Sequence, residues 1–318
     1  MKRTLILLVG LLAILGISHT LALPSWAIDY PTKPITLLVA YGPGGAADIL
    51  ARAMAPELER SLGQPVVVLN KPGASGSIGM GFLASAKPDG YTIAISPASL
   101  ALTPYFQQVS YNVEKDFTFI AALGNYTEPF FVRADSPFKT LENLVDHARQ
   151  NPDRIKIGVP GMATSAALMG KFVGEKAGVR WTLIPFTSDA ENITSLLGGH
   201  IHVGILLGGY APHLKAGTVR MLAVNTAERI KDCPDIPTLI ECGYNFTTLT
   251  LVGIVGPKGL PEAIFQKLAE AIAKARQTPI YLETIKNINL NPLQQVGKDY
   301  EKSVMENYRN MGKYSKPK

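Results

Sequence analysis

"ITLLVAYGPGGAADILAR", residues 35–52, decides the fold. Ile35 to Ala40 carry no charge and read as a buried strand. Gly42, Pro43, Gly44 and Gly45 then form a bare loop. A helical pattern, "AADILARAMAPELERSL" (46–62), follows, with Leu50, Met54, Leu58 and Leu62 at four-residue steps on one face. Asp48 falls in its first turn, where an acid suits the helix dipole, and Pro56 predicts a kink or a short first half. The loop lets the backbone approach a ligand closely. Unpaired first-turn amides and the dipole together attract anions there.

Outward from this stretch the alternation continues. "PVVVLN" (65–70) reads as a strand, "KPGASGSIG" (71–79) as a Gly-rich turn running into a small-residue helix, and "YTIAIS" (91–96) as the next strand. A second block has "LENLVDHARQNP" (141–152) as a helix, "IKIGVP" (155–160) as a strand, and a helix over about 165–178. "WTLIPF" (181–186), "HIHVGILL" (200–207) and "VRMLAVN" (219–225) read as strands, and "PEAIFQKLAEAIAKARQTP" (261–279) as an amphipathic helix. This pattern predicts an α/β protein of two lobes, each a mostly parallel sheet with helices on both faces, hinged by crossing strands. Residues 28–125 plus 227–318 form one expected lobe and 126–226 the other.

In open parallel sheets, ligands sit beyond the carboxyl ends of the strands. Four loops fall there: "YGPGGAA", "SPASL", "VPGMATS" and "FTSDAEN". They supply the candidate ligand-binding residues. The first gives Tyr41, Gly44, Gly45, Ala46 and Asp48, and the second Ser96, Ala98 and Ser99. The third gives Gly161, Thr164 and Ser165, and the fourth Thr187 and Ser188.

At 318 residues and 47% hydrophobic, the chain can bury a large core in two lobes, and 18% charged residues argue against widespread disorder. Lys2 and Arg3, the apolar run "LILLVGLLAILGI" (5–17) and "SWA" (25–27) read as a secretory signal cut after Ala27, with Ala22 the lesser alternative. Thirteen apolar residues are too few to cross a bilayer. Cleavage removes Lys2 and Arg3 and no acid, lowering the net charge from +6 to +4. No basic block or basic–aromatic stripe points to nucleic acid. Cys233 and Cys242 are compatible with a disulfide in an exported protein or with two thiols.

Catalytic and cofactor motifs fail one by one. Gly42, Gly44 and Ala47 fit G-x-G-x-x-A, but the next strand ends in Leu69 and Asn70 where a ribose-binding acid belongs. There is no P-loop and no G-x-S-x-G. His200 and His202 stand two apart in an expected strand, so both would face one side, with His213 nearby. No acid or cysteine cluster completes a ligand set, and they read as ordinary imidazoles. No metal, cofactor or catalytic residue is expected.

A longer ordered set of segments carries a resemblance. "YPTKPITLLVAYGPGGAADILAR" (30–52), "LGQPVVVLNKPGASGSIG" (62–79), "AKPDGYTIAIS" (86–96), "LLGGHIHVGI" (196–205), "APHLKAGTVRMLAVNTAERIKDCPDIPTLIECGY" (211–244) and "VGIVGPKGLP" (252–261) together resemble the Bug-type solute receptors of tripartite tricarboxylate transporters. The resemblance implies a type II-like, two-lobed periplasmic binding protein that closes on a small organic acid and presents it to membrane permease subunits. It implies no enzyme activity, a monomer, and a carboxylate held by backbone amides with Ser96, Ser99, Thr164 and Thr187, Tyr41 covering the apolar part. A sensor that docks on a signalling partner, or an exported enzyme on the same fold, are the alternatives.

The chain departs from the family pattern in four places. Ala167 stands where a His is common, polar "TSDAEN" replaces a small-residue segment, His202 replaces a frequent acid, and Leu251 replaces an aromatic. His202 in a binding role would suit a ligand end more anionic, or aromatic, than usual.

Overall fold

The structure is a computed structural model and describes residues 29–231 and 233–315, with side chains through residue 312. The expected signal segment, 1–27, lies outside the described residues. All elements below fall within Pro31–Lys318.

The first sheet begins as the sequence implies. β1 (Ile35–Val39) leads through the Gly-rich loop to α1 (Ala46–Leu62), then to β2 (Val66–Asn70), α2 (Ser77–Ala84) and β3 (Thr92–Ser96). β1 pairs in parallel with both β2 and β3. α1 runs unbroken through Pro56 and ends at Gly63, whose left-handed φ of 73° lets its N–H bond back to the Glu59 carbonyl. Leu50, Met54 and Leu58 are fully buried on its inner face. Each contributes about 1.5–3 kcal/mol of hydrophobic stabilisation.

The chain then crosses between sheets. β4 (Phe117–Tyr126) belongs to the first sheet, and β5 (Pro129–Arg133), only three residues later, to the second. The second sheet adds α3 (Leu141–Gln150), β6 (Lys156–Val159), α4 (Ser165–Ala177), β7 (Thr182–Pro185), α5 (Asp189–Leu197), β8 (Val203–Ile205), α6 (Ala211–Lys215) and β9 (Val219–Val224). The return puts β10 (Thr250–Pro257) back in the first sheet, followed by α7 (Glu262–Ala275), α8 (Pro279–Asn287), β11 (Leu290–Pro292) and α9 (Lys298–Ser315).

Strand order is β11-β4-β10-β3-β1-β2 in the first sheet and β7-β6-β8-β5-β9 in the second. Both sheets are mixed, where the alternation alone predicts mostly parallel ones. The reason is the crossing: β10 returns antiparallel between β3 and β4, and β5 enters antiparallel between β8 and β9. The connecting segment after β9 stays with the second sheet, because Leu239 and Phe246 are buried in its core with Phe130, Leu144 and Val173. The expected boundary at 227 falls ahead of that segment.

Cys233 and Cys242 are not joined by a disulfide; Cys242 packs on the second sheet's main core and Cys233 on a smaller cluster around Tyr210. Among the described residues no helix is long and apolar enough to cross a membrane, and no cluster of three or more His, Cys, Asp or Glu could hold a metal.

Candidate functional site

The carboxyl ends of the parallel strands from both sheets face one cavity. From the first sheet come Tyr41, Gly45, Ala46, Ala47, Pro97, Ala98 and Ser99; from the second come Pro160, Thr164, Ser165, Ser188, Asp189 and Leu207. The crossing supplies Tyr126 and Glu128. The cavity holds about 30 Å³, room for one or two water-sized groups. A solute therefore enters only after the lobes part.

The first loop does not keep its amides bare. The Gly42 N–H donates to the Thr187 carbonyl (2.9 Å), that of Gly44 to Asp48 Oδ2 (3.0 Å), and that of Ala46 to Asp189 Oδ2 (3.2 Å). Two of these bonds span the cleft. Asp189, at the first position of α5, also accepts from the Leu207 N–H at 3.1 Å. The chain's own carboxylate thus stands at the helix start where the sequence suggests a ligand's. Close approach is built in: a Cβ on Gly208 would lie 2.7 Å from that of Ala46.

A second clasp joins the loops further out. Ser75 Oγ accepts from the Ala163 N–H (3.1 Å), while Thr103 Oγ1 donates to the Ala163 carbonyl (3.2 Å). Ser75 and its neighbour Ala74 hold φ of 55° and 48°, left-handed values that side chains rarely adopt. Such strain persists where surrounding contacts over-determine it and clusters at functional sites. Tyr41 Oη donates to the Ser75 carbonyl (3.2 Å) and lies 3.0 Å from Ser99 Oγ, locking this loop to the cavity wall. Tyr41 titrates well above the ordinary tyrosine range because burial disfavours the phenolate.

Glu128 sits at the crossing itself, 1% exposed. Its Oε1 accepts from Ser165 Oγ at 2.5 Å, and its Oε2 from Asn225 Nδ2 at 3.1 Å and Thr248 Oγ1 at 3.3 Å. Asn225 Oδ1 in turn accepts from the Glu128 N–H at 2.8 Å, so the two outward-crossing segments are stapled together. Burial pushes the Glu128 carboxyl up to about 7, with the charge of Asp189 adding to it. Burial likewise pushes Asp189 up to about 6 against the lowering effect of its backbone donors. Among the described residues no Lys, Arg or His lines the cavity.

The remaining sequence candidates fall outside this wall. Asp48 points into its own loop and helix, bonded to Gly44, Arg52 and Asn70. Burial alone would raise it, but those donors hold it below the usual carboxylate range. Ser96 is buried within β3, while Gly161 and Thr187 line an adjoining trough of about 340 Å³ that shares Tyr41 and Pro160 with the cavity. Gly44 turns the loop with φ of 76°.

His200 and His202 are not in a strand: β8 starts at Val203, and both imidazoles are exposed. His202 Nδ1 accepts from the Lys156 N–H (3.1 Å), at the end of β6 opposite Pro160. The Gly198–Gly199 turn runs on as a bend through His202, which shortens the strand expected over 200–207. Partial loss of hydration where the His202 ring meets β6, and then the nearby charge of Lys156, lower the pKa of His202. Glu128, Asp189 and Tyr126 are cavity residues that the motif reading passed over. For Glu128 the available signal was an acid set between two largely apolar runs, "FTFIAAL" and "PFFV".

Two α/β lobes joined by crossing strands, with one cavity between facing loops, define the architecture of a periplasmic binding protein. The comparisons agree. A model of the tripartite tricarboxylate transporter family receptor matches residues 50–316, and the chain belongs to that family of periplasmic solute-binding proteins. The chain is 33% identical over 307 residues to the "UPF0065 protein in gbd 5'region" of Cupriavidus necator, covering 96% of this chain and 94% of that one. The periplasmic binding protein BugD superposes with a TM-score of 0.84 at 27% identity, over 89% of this chain and 97% of its own. Rpa4515 of R. palustris, solved with adipate, gives 0.83 at 27% identity, over 90% and 98%.

Proposed function

We propose that the chain is exported, trimmed near Ala27, and works as a monomer that captures a small carboxylate-bearing solute between its two lobes, then hands it unchanged to membrane permease subunits. The convergence of loops from both sheets on one cavity carries this reading. A similar fold that holds adipate supports it. α4, a 13-residue helix capped by Thr164, starts beside this cavity, with Ser165 in its wall. Thr164 Oγ1 takes the Ala167 N–H of that turn, which leaves the amides ahead of it to meet a solute's carboxylate, with Ser99 and Thr164 beside them.

Function is then closure. A solute that touches both lobes favours the closed state by its differential affinity for it. The cavity wall offers hydroxyls, amides and two carboxyls, groups that hold a solute by hydrogen bonds.

A thermal-shift screen of dicarboxylates, tricarboxylates, aromatic acids and amino acids tests the reading. A true ligand at about 100 times its dissociation constant adds roughly 2.7 kcal/mol of stability, and mass spectrometry recovers it unaltered. No stabilisation by any acid in the panel, or a chemically changed compound, overturns it.

A further inference from the structure

We propose that the solute's buried end is a protonated amine, received by Glu128, Asp189 and Tyr126 in the enclosed cavity. The inference rests on the solute-binding reading above and narrows it from carboxylates in general to amino acids and related amine-bearing acids.

Three observations carry it. First, two carboxyls from different elements, Glu128 at the crossing and Asp189 at the start of α5, line one small cavity with no cationic side chain in its wall. Second, the Tyr126 hydroxyl lines the same cavity, is 2% exposed, and has no hydrogen-bond partner among the described residues. A buried hydroxyl without a partner is costly, and its oxygen can accept from a bound donor. Third, the two carboxyls are acceptors with capacity to spare. Glu128 accepts from Ser165, Asn225 and Thr248, and Asp189 from Ala46 and Leu207. An ionised carboxylate offers about four lone-pair sites.

The geometry matches an ammonium in number and in charge. An –NH₃⁺ group has three donors and no acceptor, and the wall offers three acceptor groups. A buried charge needs a partner of opposite sign. A second carboxylate in the same place would instead add like charge beside two buried acids. The cavity's volume also suits a single small polar group, while the adjoining trough of about 340 Å³, lined by neutral residues such as Gln107, Met162 and Phe186, takes the remainder of the solute.

The test uses the mature chain and calorimetry at pH 7.5 with three pairs in which an amine replaces one carboxylate: β-alanine and succinate, 4-aminobutanoate and glutarate, 5-aminopentanoate and adipate. The expected result is that the amine member of at least one pair binds tenfold or more tighter than its diacid. Glu128→Gln, nearly isosteric, then loses at least tenfold for that amine, and Tyr126→Phe several-fold, with thermal stability retained. The titratable groups facing Glu128 are Asp189, Tyr41 and Tyr126, so protonation of the two acids weakens amine binding as pH falls from 8 to 5.5. A diacid that binds tighter than its amine partner, or that binds better at pH 5.5, overturns the inference and leaves the solute-binding reading standing. Unchanged amine affinity in both variants also overturns it. Silence from every member of all three pairs and of the wider acid panel fails the underlying reading, and the inference with it.

Discussion

Asp48 and Glu128 are both buried acids beside the cleft, yet their surroundings are opposite. Asp48 is ringed by donors that include the guanidinium of Arg52, and its pKa falls. Glu128 has only neutral donors and a neighbouring carboxyl, and its pKa rises. An acid that serves the fold is neutralised by the fold. An acid left without a cation in a cavity wall is neutralised by a proton or by something that arrives.

The largest expected effect breaks the structural side of this comparison. Asp48→Ala leaves the Gly44 N–H without its acceptor, takes one of two from the Asn70 amide and removes the partner of Arg52, and chemical denaturation should register a loss of about 3 kcal/mol. If the variant is as stable as the parent, Asp48 is not the loop's internal anchor.

The next concerns pH. Glu128 has its folded pKa raised above the ordinary carboxylate value, so its contribution is fully present below about pH 4.5 and is lost as pH rises through about 7. Asp189, raised to about 6, acts in the same direction. Ligand-free stability should fall by about 4 kcal/mol between pH 5 and pH 8, and Glu128→Gln should flatten more than half of that decline. A flat or rising profile in the parent would remove the contrast with Asp48.

Ser75→Ala should have a smaller effect. It deletes the acceptor for the Ala163 N–H across the cleft, worth about 0.5–1.5 kcal/mol, and should shift small-angle scattering of the empty protein toward the open form. His202→Asp should have the smallest. Its imidazole bonds the far end of β6, and affinity for any identified solute should stay within about twofold of the parent; a larger change would return His202 to the site.

Much of this was legible in the sequence because Gly-rich loops at strand ends have few other uses. Tyr41, Gly45, Ala46, Ala98, Ser99, Thr164, Ser165 and Ser188 come together at one cavity as the loop positions imply. What was not legible depends on long-range closure. No local pattern says that the Ala46 amide meets Asp189, 143 residues away. Nor does any motif mark Glu128, whose meaning arises only when β4 and β10 meet at the crossing and Asn225 and Thr248 are brought beside it. The length of the strand holding His202 misled for a local reason: alternation continues in sequence through a segment that Gly198 and Gly199 have already turned.

The bond from Ala46 to Asp189 has a consequence for measurement. A receptor that can shut on its own side chain has an unoccupied population already hidden from solute, and only the gaping remainder is open to it. Apparent dissociation constants are weakened by that competent fraction. Loosening a self-contact of this kind tightens binding where the occupied form does not keep it.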